Sequence, residues 1–284
     1  MSFKSIGELL QDNSKEMSYM ERMARLNSPN GDIYGGKSAE EILLEIDESR
    51  IYKSKDGFNC KLCGNKGGKM VPNEQGSLLW EDCSCLENKK TLFNTEQSGL
   101  GDLLTYRVSD FEVTEPFQRH MKDATSHYLL YGQKRWFLAL GQPGCGKTML
   151  CSAICNQRLS KGHVVKYLIW KEFVSKMHHM KYDQDREDYY QEYVRAEILY
   201  IDDLLKGKVT EYERDLAFQI INYRYNKDLV TVISSELLIE DLRKLDEATA
   251  SRMYQKARFK DDEGKTLTYV LEIGRDDKKN YRFK

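Results

Sequence analysis

Beyond about residue 105, short apolar runs alternate with stretches whose apolar positions recur at three- and four-residue steps. Trp136–Leu140 precedes a helical pattern over Met149–Leu159, Val164–Trp170 precedes Phe173–Met180, Ile198–Ile201 precedes Leu216–Tyr225, and Leu229–Ile233 precedes Leu237–Leu245. A short continuous apolar run fits a strand covered on both faces, and a helix after each run predicts a parallel sheet in an α/β domain. The first hundred residues read differently. Phe3, Ile6, Leu9 and Leu10 fall at helical spacing, and Ile42, Leu43, Leu44, Ile46 and Ile51 follow Ser38-Ala39-Glu40-Glu41, a plausible helix start. Four cysteines come next. From Glu87 to Asp110 the chain is polar, carries Gly99 and Gly101, and lacks sustained helical periodicity, so it reads as a connection. The border is expected near 105, between a small helical, cysteine-rich domain (1–105) and an α/β domain (106–284).

Composition bounds the function. The 284 residues suit two domains, and 40% hydrophobic residues can supply a core to each. Lys+Arg 44 against Asp+Glu 45 leaves a net charge of −1, so no overall field draws the chain to nucleic acid or anionic membrane; such binding requires a local patch. No apolar run approaches the ~18–20 residues that span a bilayer, and Met1-Ser2-Phe3-Lys4 starts no signal core. A cytoplasmic protein without membrane contact is expected, in which the 7 cysteines stay reduced and close pairs point to metal before disulfide.

Gly141-Gln142-Pro143-Gly144-Cys145-Gly146-Lys147-Thr148 satisfies G-x-x-x-x-G-K-[ST], between an expected strand and an expected helix. This is the phosphate-binding loop, and with Met149 it forms the candidate cofactor-binding stretch for ATP. Glycines let successive N–H groups face a triphosphate, Lys147 reaches the β- and γ-phosphates, and Thr148 binds Mg2+. Hydrolysis also needs a carboxylate at a neighbouring strand end. Ile198-Leu199-Tyr200-Ile201-Asp202-Asp203 provides it, with Asp202 for Mg2+ and Asp203 to position water.

Cys60-x2-Cys63 and Cys83-x-Cys85 are separated by 19 residues that include Gly64, Gly67 and Gly68, so both pairs can close on one ion. Four thiolates suit Zn2+ in a structural role, because no coordination position stays open for catalysis; free thiols or an exchangeable disulfide are the other readings. Lys176, His178, His179, Lys181, Tyr182, Arg186, Tyr189 and Tyr190 mix basic and aromatic groups of the kind that follow single-stranded nucleic acid. Interleaved acids favour instead a helix whose tyrosines pack on a neighbour. Residues 256–284 are a weaker basic candidate.

With these motifs in hand, the chain resembles the DnaC/DnaI-type replicative helicase loaders, which with the transposition ATPase IstB form a branch of AAA+ proteins near the initiator DnaA. The resemblance rests on Gly141–Thr148, Ile201-Asp202-Asp203, Ile220-Ile221-Asn222-Tyr223-Arg224-Tyr225, Ile233-Ser234-Ser235-Glu236-Leu237, Ser251-Arg252 and Asn280-Tyr281-Arg282. It implies an AAA+ P-loop sheet in the order 5-1-4-3-2. It also implies a sensor-1 position at Ser234–Glu236 with Ser235 near the nucleotide, Arg252 as a finger presented to ATP on an adjacent subunit, and Arg282 as sensor 2. A zinc-stabilised first domain that docks on a hexameric replicative DNA helicase, action on single-stranded DNA, and self-assembly through AAA+ interfaces are implied likewise. Asp203 and the Ser-Ser-Glu tip depart from the usual Glu and Asn, so slow, switch-like ATP hydrolysis is expected. An IstB-like transposition ATPase and a nucleotide kinase are the alternative functions.

Overall fold

A computed structural model describes residues 60, 62–64, 66–73, 77–261, 263–276 and 279–281. The helices expected before residue 52 and Arg282 lie outside the described residues. The chain forms two compact units, Met1–Leu86 and Glu87–Lys284.

In the first unit, strands β1 (Gly68–Pro72) and β2 (Leu78–Asp82) pair antiparallel as a hairpin. Its edges carry the cysteine pairs, one before β1 and one after β2. Among the described residues of this unit, Leu79 and Trp80 stay exposed and only Cys63 and Cys85 are buried hydrophobics.

Helix α1 (Cys85–Gln97) runs out of the first unit into the second. The polar stretch expected to be a connection is therefore helical through Gln97, and two 3-10 turns follow, Gly101–Thr105 and Val108–Asp110. The compact units divide between Leu86 and Glu87, well before residue 105. Polar anchoring explains why apolar periodicity missed this. Buried Asn94 donates from Nδ2 to Gly162 O at 3.2 Å, Ser98 O accepts from Tyr167 N at 2.8 Å, and Leu100 enters the core.

The second unit continues through helix α2 (Pro116–Tyr131), β3 (Phe137–Gly141), α3 (Lys147–Ser160), β4 (Val165–Ile169), α4 (Trp170–His179), α5 (Asp183–Val194), β5 (Ile198–Asp202), α6 (Glu211–Asn226) and β6 (Val230–Ser235). Helices α7 (Ile239–Leu245) and α8 (Glu247–Ala257) follow, then a short hairpin, β7 (Arg258–Lys260) with β8 (Thr266–Thr268), and a last strand, β9 (Val270–Ile273). Five strands pair in parallel in the order β4-β5-β6-β3-β9. Numbered among the strands of this sheet alone, that is the expected 5-1-4-3-2 order read from the opposite edge. β9 is the strand that alternation did not reveal, since only Leu271 and Ile273 of its four residues are buried.

Two apolar layers sandwich the sheet. Trp136, Leu138, Leu140, Leu199, Ile201 and Ile233 face one side, whereas Phe137, Ala139, Ile198, Tyr200 and Val232 face the other with Leu150, Ile154 and Leu159 of α3. The period of two along each strand distributes these side chains, and burial on both faces explains the unbroken apolar runs. The polar loops are left at the carboxyl edge, where β3, β5 and β6 end side by side.

Candidate functional site

β3 ends at Gly141, and the chain turns through Gln142–Gly146 into the first turn of α3. Gly141 and Gly146 are conformationally required, with φ of 108° and 98°. A Cβ on Gly141 would lie 2.1 Å from Ile273 O, and one on Gly146 would lie 2.4 Å from the Phe111 ring. The turn is thus held against β9 on one side and Phe111 on the other, with its amides at a helix start, a cradle suited to phosphate. Lys147 Nζ donates to Gly141 O and Gln142 O, each at 2.7 Å, which keeps the ammonium at the loop. Cys145 is buried; its Sγ donates to Gln142 O at 3.1 Å, and burial pushes the thiol up, so it is packing and not a nucleophile. Gln142 exchanges two hydrogen bonds with the Asp276 backbone, and Tyr281 N donates to Gly144 O at 3.0 Å.

Asp202 closes β5 opposite Thr148. Its Oδ1 accepts from Thr148 Oγ1 at 3.3 Å, from Tyr200 Oη at 2.8 Å and from Ser234 Oγ, and its Oδ2 accepts from Tyr167 Oη at 3.1 Å. Tyr200 shares a face with Asp202 at a two-residue step, and Tyr167 lies directly across from Tyr200 on β4. These neutral hydroxyls fix the carboxylate without cancelling its charge, an arrangement suited to a hydrated divalent cation beside Thr148. The burial and the neighbouring carboxylate raise both phenols, so they remain donors at neutral pH.

Asp203 follows with φ of 56°. Its amide donates to Ser234 Oγ at 2.9 Å, and its Oδ2 accepts from Lys206 Nζ at 2.8 Å. Lys206 also reaches Glu236 Oε1 at 2.9 Å. A cleft of ≈ 270 Å3 runs between the loop and these strand ends, lined by Gly144, Lys147, Thr148, Asp203, Lys206 and Glu236 among others. Lys147, Thr148, Met149, Asp202 and Asp203 are thereby brought together.

Ser235 is not in the cleft. It is fully buried, its hydroxyl donates to Leu204 O at 2.8 Å, and its neighbours Ser234 and Glu236 are the residues of that tip that engage the site. Arg252 lies on α8 away from the cleft lining; Nη1 donates to Ala248 O at 2.8 Å, and the guanidinium sits 5.4 Å and 5.7 Å from the Phe218 and Tyr225 rings. The tyrosines of α5 pack as expected: Tyr189 stacks on Phe173 at 5.4 Å, with Lys176 Nζ 4.1 Å from its ring centroid, whereas Tyr182, just before the helix, is exposed. Arg224, part of the family motif, is fully buried. Its guanidinium donates to the carbonyls of Val194, Ala196 and Val230 and to Thr231 Oγ1, tying α6 to the end of α5, to the turn before β5 and to β6. Lys206, Tyr167 and Tyr200 escaped the sequence reading. Strand alternation and register could have found the tyrosines, but Lys206 follows an irregular turn that carries no periodic signal.

In the first unit the sulfurs of Cys60, Cys63, Cys83 and Cys85 all lie within 4.8 Å of one another, with Cys60–Cys83 at 3.7 Å and Cys63–Cys85 at 3.4 Å. Zn–S bonds of ~2.3 Å in a tetrahedron place sulfurs ~3.8 Å apart, so the cluster matches zinc. A backbone hydrogen bond from Cys63 helps hold the Cys60 thiol down to about 7, while burial pushes Cys85 up to about 12.

A parallel sheet of this order, a phosphate loop after its interior strand β3 and paired aspartates at the end of β5 define a P-loop ATP-binding protein of the AAA+ class. A family model described as IstB-like ATP binding protein matches residues 89–255, and the chain belongs to that family. It is 32% identical to the phage-like element PBSX protein XkdC of Bacillus subtilis (strain 168) over 216 residues, covering 70% of this chain and 79% of the relative. It is 30% identical to the uncharacterized protein YqaM of the same strain, over 67% of this chain and 66% of that protein. Among solved structures, the DnaC helicase loader shares the fold with a TM-score of 0.51 at 19% identity, covering 61% of this chain and 99% of that one. Among the described residues, no helix is long and apolar enough to cross a membrane.

Proposed function

We propose that this protein is an ATP-dependent helicase loader, which grips a hexameric replicative DNA helicase through its cysteine-bearing first unit and places it on single-stranded DNA through self-assembled AAA+ domains. The observation that carries the reading is the pairing, in one chain, of the Lys147–Asp202–Asp203 cleft with a separate cluster of four cysteines in the first unit. The fold shared with the DnaC helicase loader and the likeness to a phage-element protein support it.

In this reading Lys147 and the loop amides bind the β- and γ-phosphates, while Thr148 and Asp202 hold Mg2+. Bound Mg2+ neutralises charge on the phosphates. Asp203 orients the attacking water and takes its proton. Arg252, held on aromatic rings and in no ion pair among the described residues, is presented to ATP on a neighbouring copy, and Arg282 completes that site. Zn2+ on Cys60, Cys63, Cys83 and Cys85 is structural. Hydrolysis is slow, and the nucleotide acts as a switch.

The test is co-purification with the host's hexameric helicase, coupled to ATPase assays with and without that helicase and single-stranded DNA. A stable complex and stimulated turnover are expected; no association sinks the loader reading. The family description favours one further reading, a transposition ATPase, for which the captured partner is a transposase.

A further inference from the structure

Two cations are found among the described residues lining the cleft, Lys147 and Lys206. They are held in opposite ways. Lys147 is bound by two backbone carbonyls of its own loop, whereas Lys206 spans two carboxylates from different strand ends, Asp203 after β5 at 2.8 Å and Glu236 after β6 at 2.9 Å. The backbone that delivers it is tightly specified. Asp203 and Leu205 both adopt positive φ, 56° and 55°, conformations that a non-glycine residue holds only where the surroundings impose them. The surroundings do so here, since Leu204 and Leu205 are buried and the Asp203 and Leu204 amides are bonded to the Ser234 hydroxyl and carbonyl. Lys206 itself is not buried in return, keeping 40% of its side chain exposed. An ion pair that open to water contributes little stability, so the strained turn has little structural reason to carry it.

The charges suggest a reason. Asp203 and Glu236 face the same cleft as the phosphate loop, and both would repel a polyanion entering it. An ammonium between them offsets one of those two charges and can itself pass to an incoming phosphate oxygen. We propose that Lys206 is the residue by which this site distinguishes ATP from ADP: its ammonium exchanges the Asp203–Glu236 pair for the γ-phosphate, which releases the Asp203 carboxylate to orient water only when a triphosphate is bound. This rests on the nucleotide site proposed above. In its own right it assigns the triphosphate-reading contact to a lysine three residues beyond the paired aspartates.

The experiment is fluorescence titration of the full chain with ADP and with a non-hydrolysable ATP analogue, each with Mg2+, for wild type, Lys206→Met and Lys206→Arg. A hydrogen bond to a charged group contributes ~1.5–3 kcal/mol, so loss of the contact should weaken triphosphate binding by about tenfold or more. ADP affinity should stay within about twofold, which also serves as the check that the variant is folded, and Lys206→Arg should recover most of the preference. Equal loss of both nucleotides in Lys206→Met, or an unchanged ATP-to-ADP ratio, overturns the inference while leaving the site intact. A wild-type chain that takes up neither nucleotide overturns the site and the inference together.

Discussion

Ser234, at the tip of β6, donates its hydroxyl to Asp202 at the end of β5 and accepts the backbone N–H of Asp203 at 2.9 Å on the same oxygen. One side chain thereby sets the orientation of the metal-side carboxylate and of the residue that follows it. The strands that bear them are neighbours in the sheet, so the geometry is inherited from backbone pairing and not from a flexible loop.

Ser234→Ala removes that oxygen and leaves the Asp203 amide without its acceptor. Loss of about 1–2 kcal/mol of orientation should slow hydrolysis by about tenfold or more, with ATP affinity within about threefold of wild type. Steady-state turnover and nucleotide titration on the same preparation separate the two effects.

Lys147→Ala should abolish nucleotide binding, whereas Asp203→Asn should bind ATP normally and stop turnover. A single-turnover measurement with phosphate release as the signal decides the second case. An unchanged rate removes Asp203 from its role.

Metal analysis should find one zinc per chain, lost in Cys63→Ser and on treatment with a strong chelator. Apparent zinc-binding energies of ~10–16 kcal/mol exceed what so small a hairpin gains from its core, so helicase capture should fail with the metal gone. Nucleotide binding by residues 87–284 should persist, which a titration of the zinc-free protein checks.

Arg224→Met should destabilise the second unit by about 3 kcal/mol or more. The loss leaves the carbonyls of Val194, Ala196 and Val230 buried without that donor. Chemical denaturation followed by intrinsic fluorescence reads the change in midpoint.

The carboxyl of Glu213 is pushed up by burial but brought below its ordinary value overall by Lys171 Nζ at 2.5 Å and by Thr210. A depressed carboxylate stabilises the fold fully above its unfolded pKa and loses that contribution as pH falls through the folded value. Thermal melting should therefore decline more steeply in wild type than in Glu213→Gln as the solution is acidified below pH ~4.5, with the two converging at the acid end.

Much of this was readable from residue order. Unbroken apolar runs located β3, β4, β5 and β6 because strands covered on both faces leave no polar positions, and the phosphate loop and Asp202 declared themselves by spacing at strand ends. Other parts depended on information that spacing does not carry. Helix α1 escaped because Asn94 and Ser98 anchor it through backbone carbonyls and amides, and β9 because it is four residues long with Glu272 in its midst. At the sensor-like tip the resemblance pointed to Ser235, yet alternation along β6 turns Ser234 towards Asp202 and sends Ser235 to Leu204. A one-residue choice on a strand is a choice of face. Lys206 owes its position to two left-handed backbone turns at non-glycine residues, which no local pattern announces.

The seat of Gly141 against Ile273 makes the phosphate loop dependent on a strand more than a hundred and thirty residues downstream. A nascent chain leaving the ribosome has β3 and the loop well before the wall they lean on, which emerges more than 130 residues later. Such long sequence separation slows folding and postpones completion of the pocket until β9 has been made. A polypeptide still lacking β9 would thus have an unsupported phosphate loop, and nucleotide uptake would be reserved for molecules whose sheet is closed.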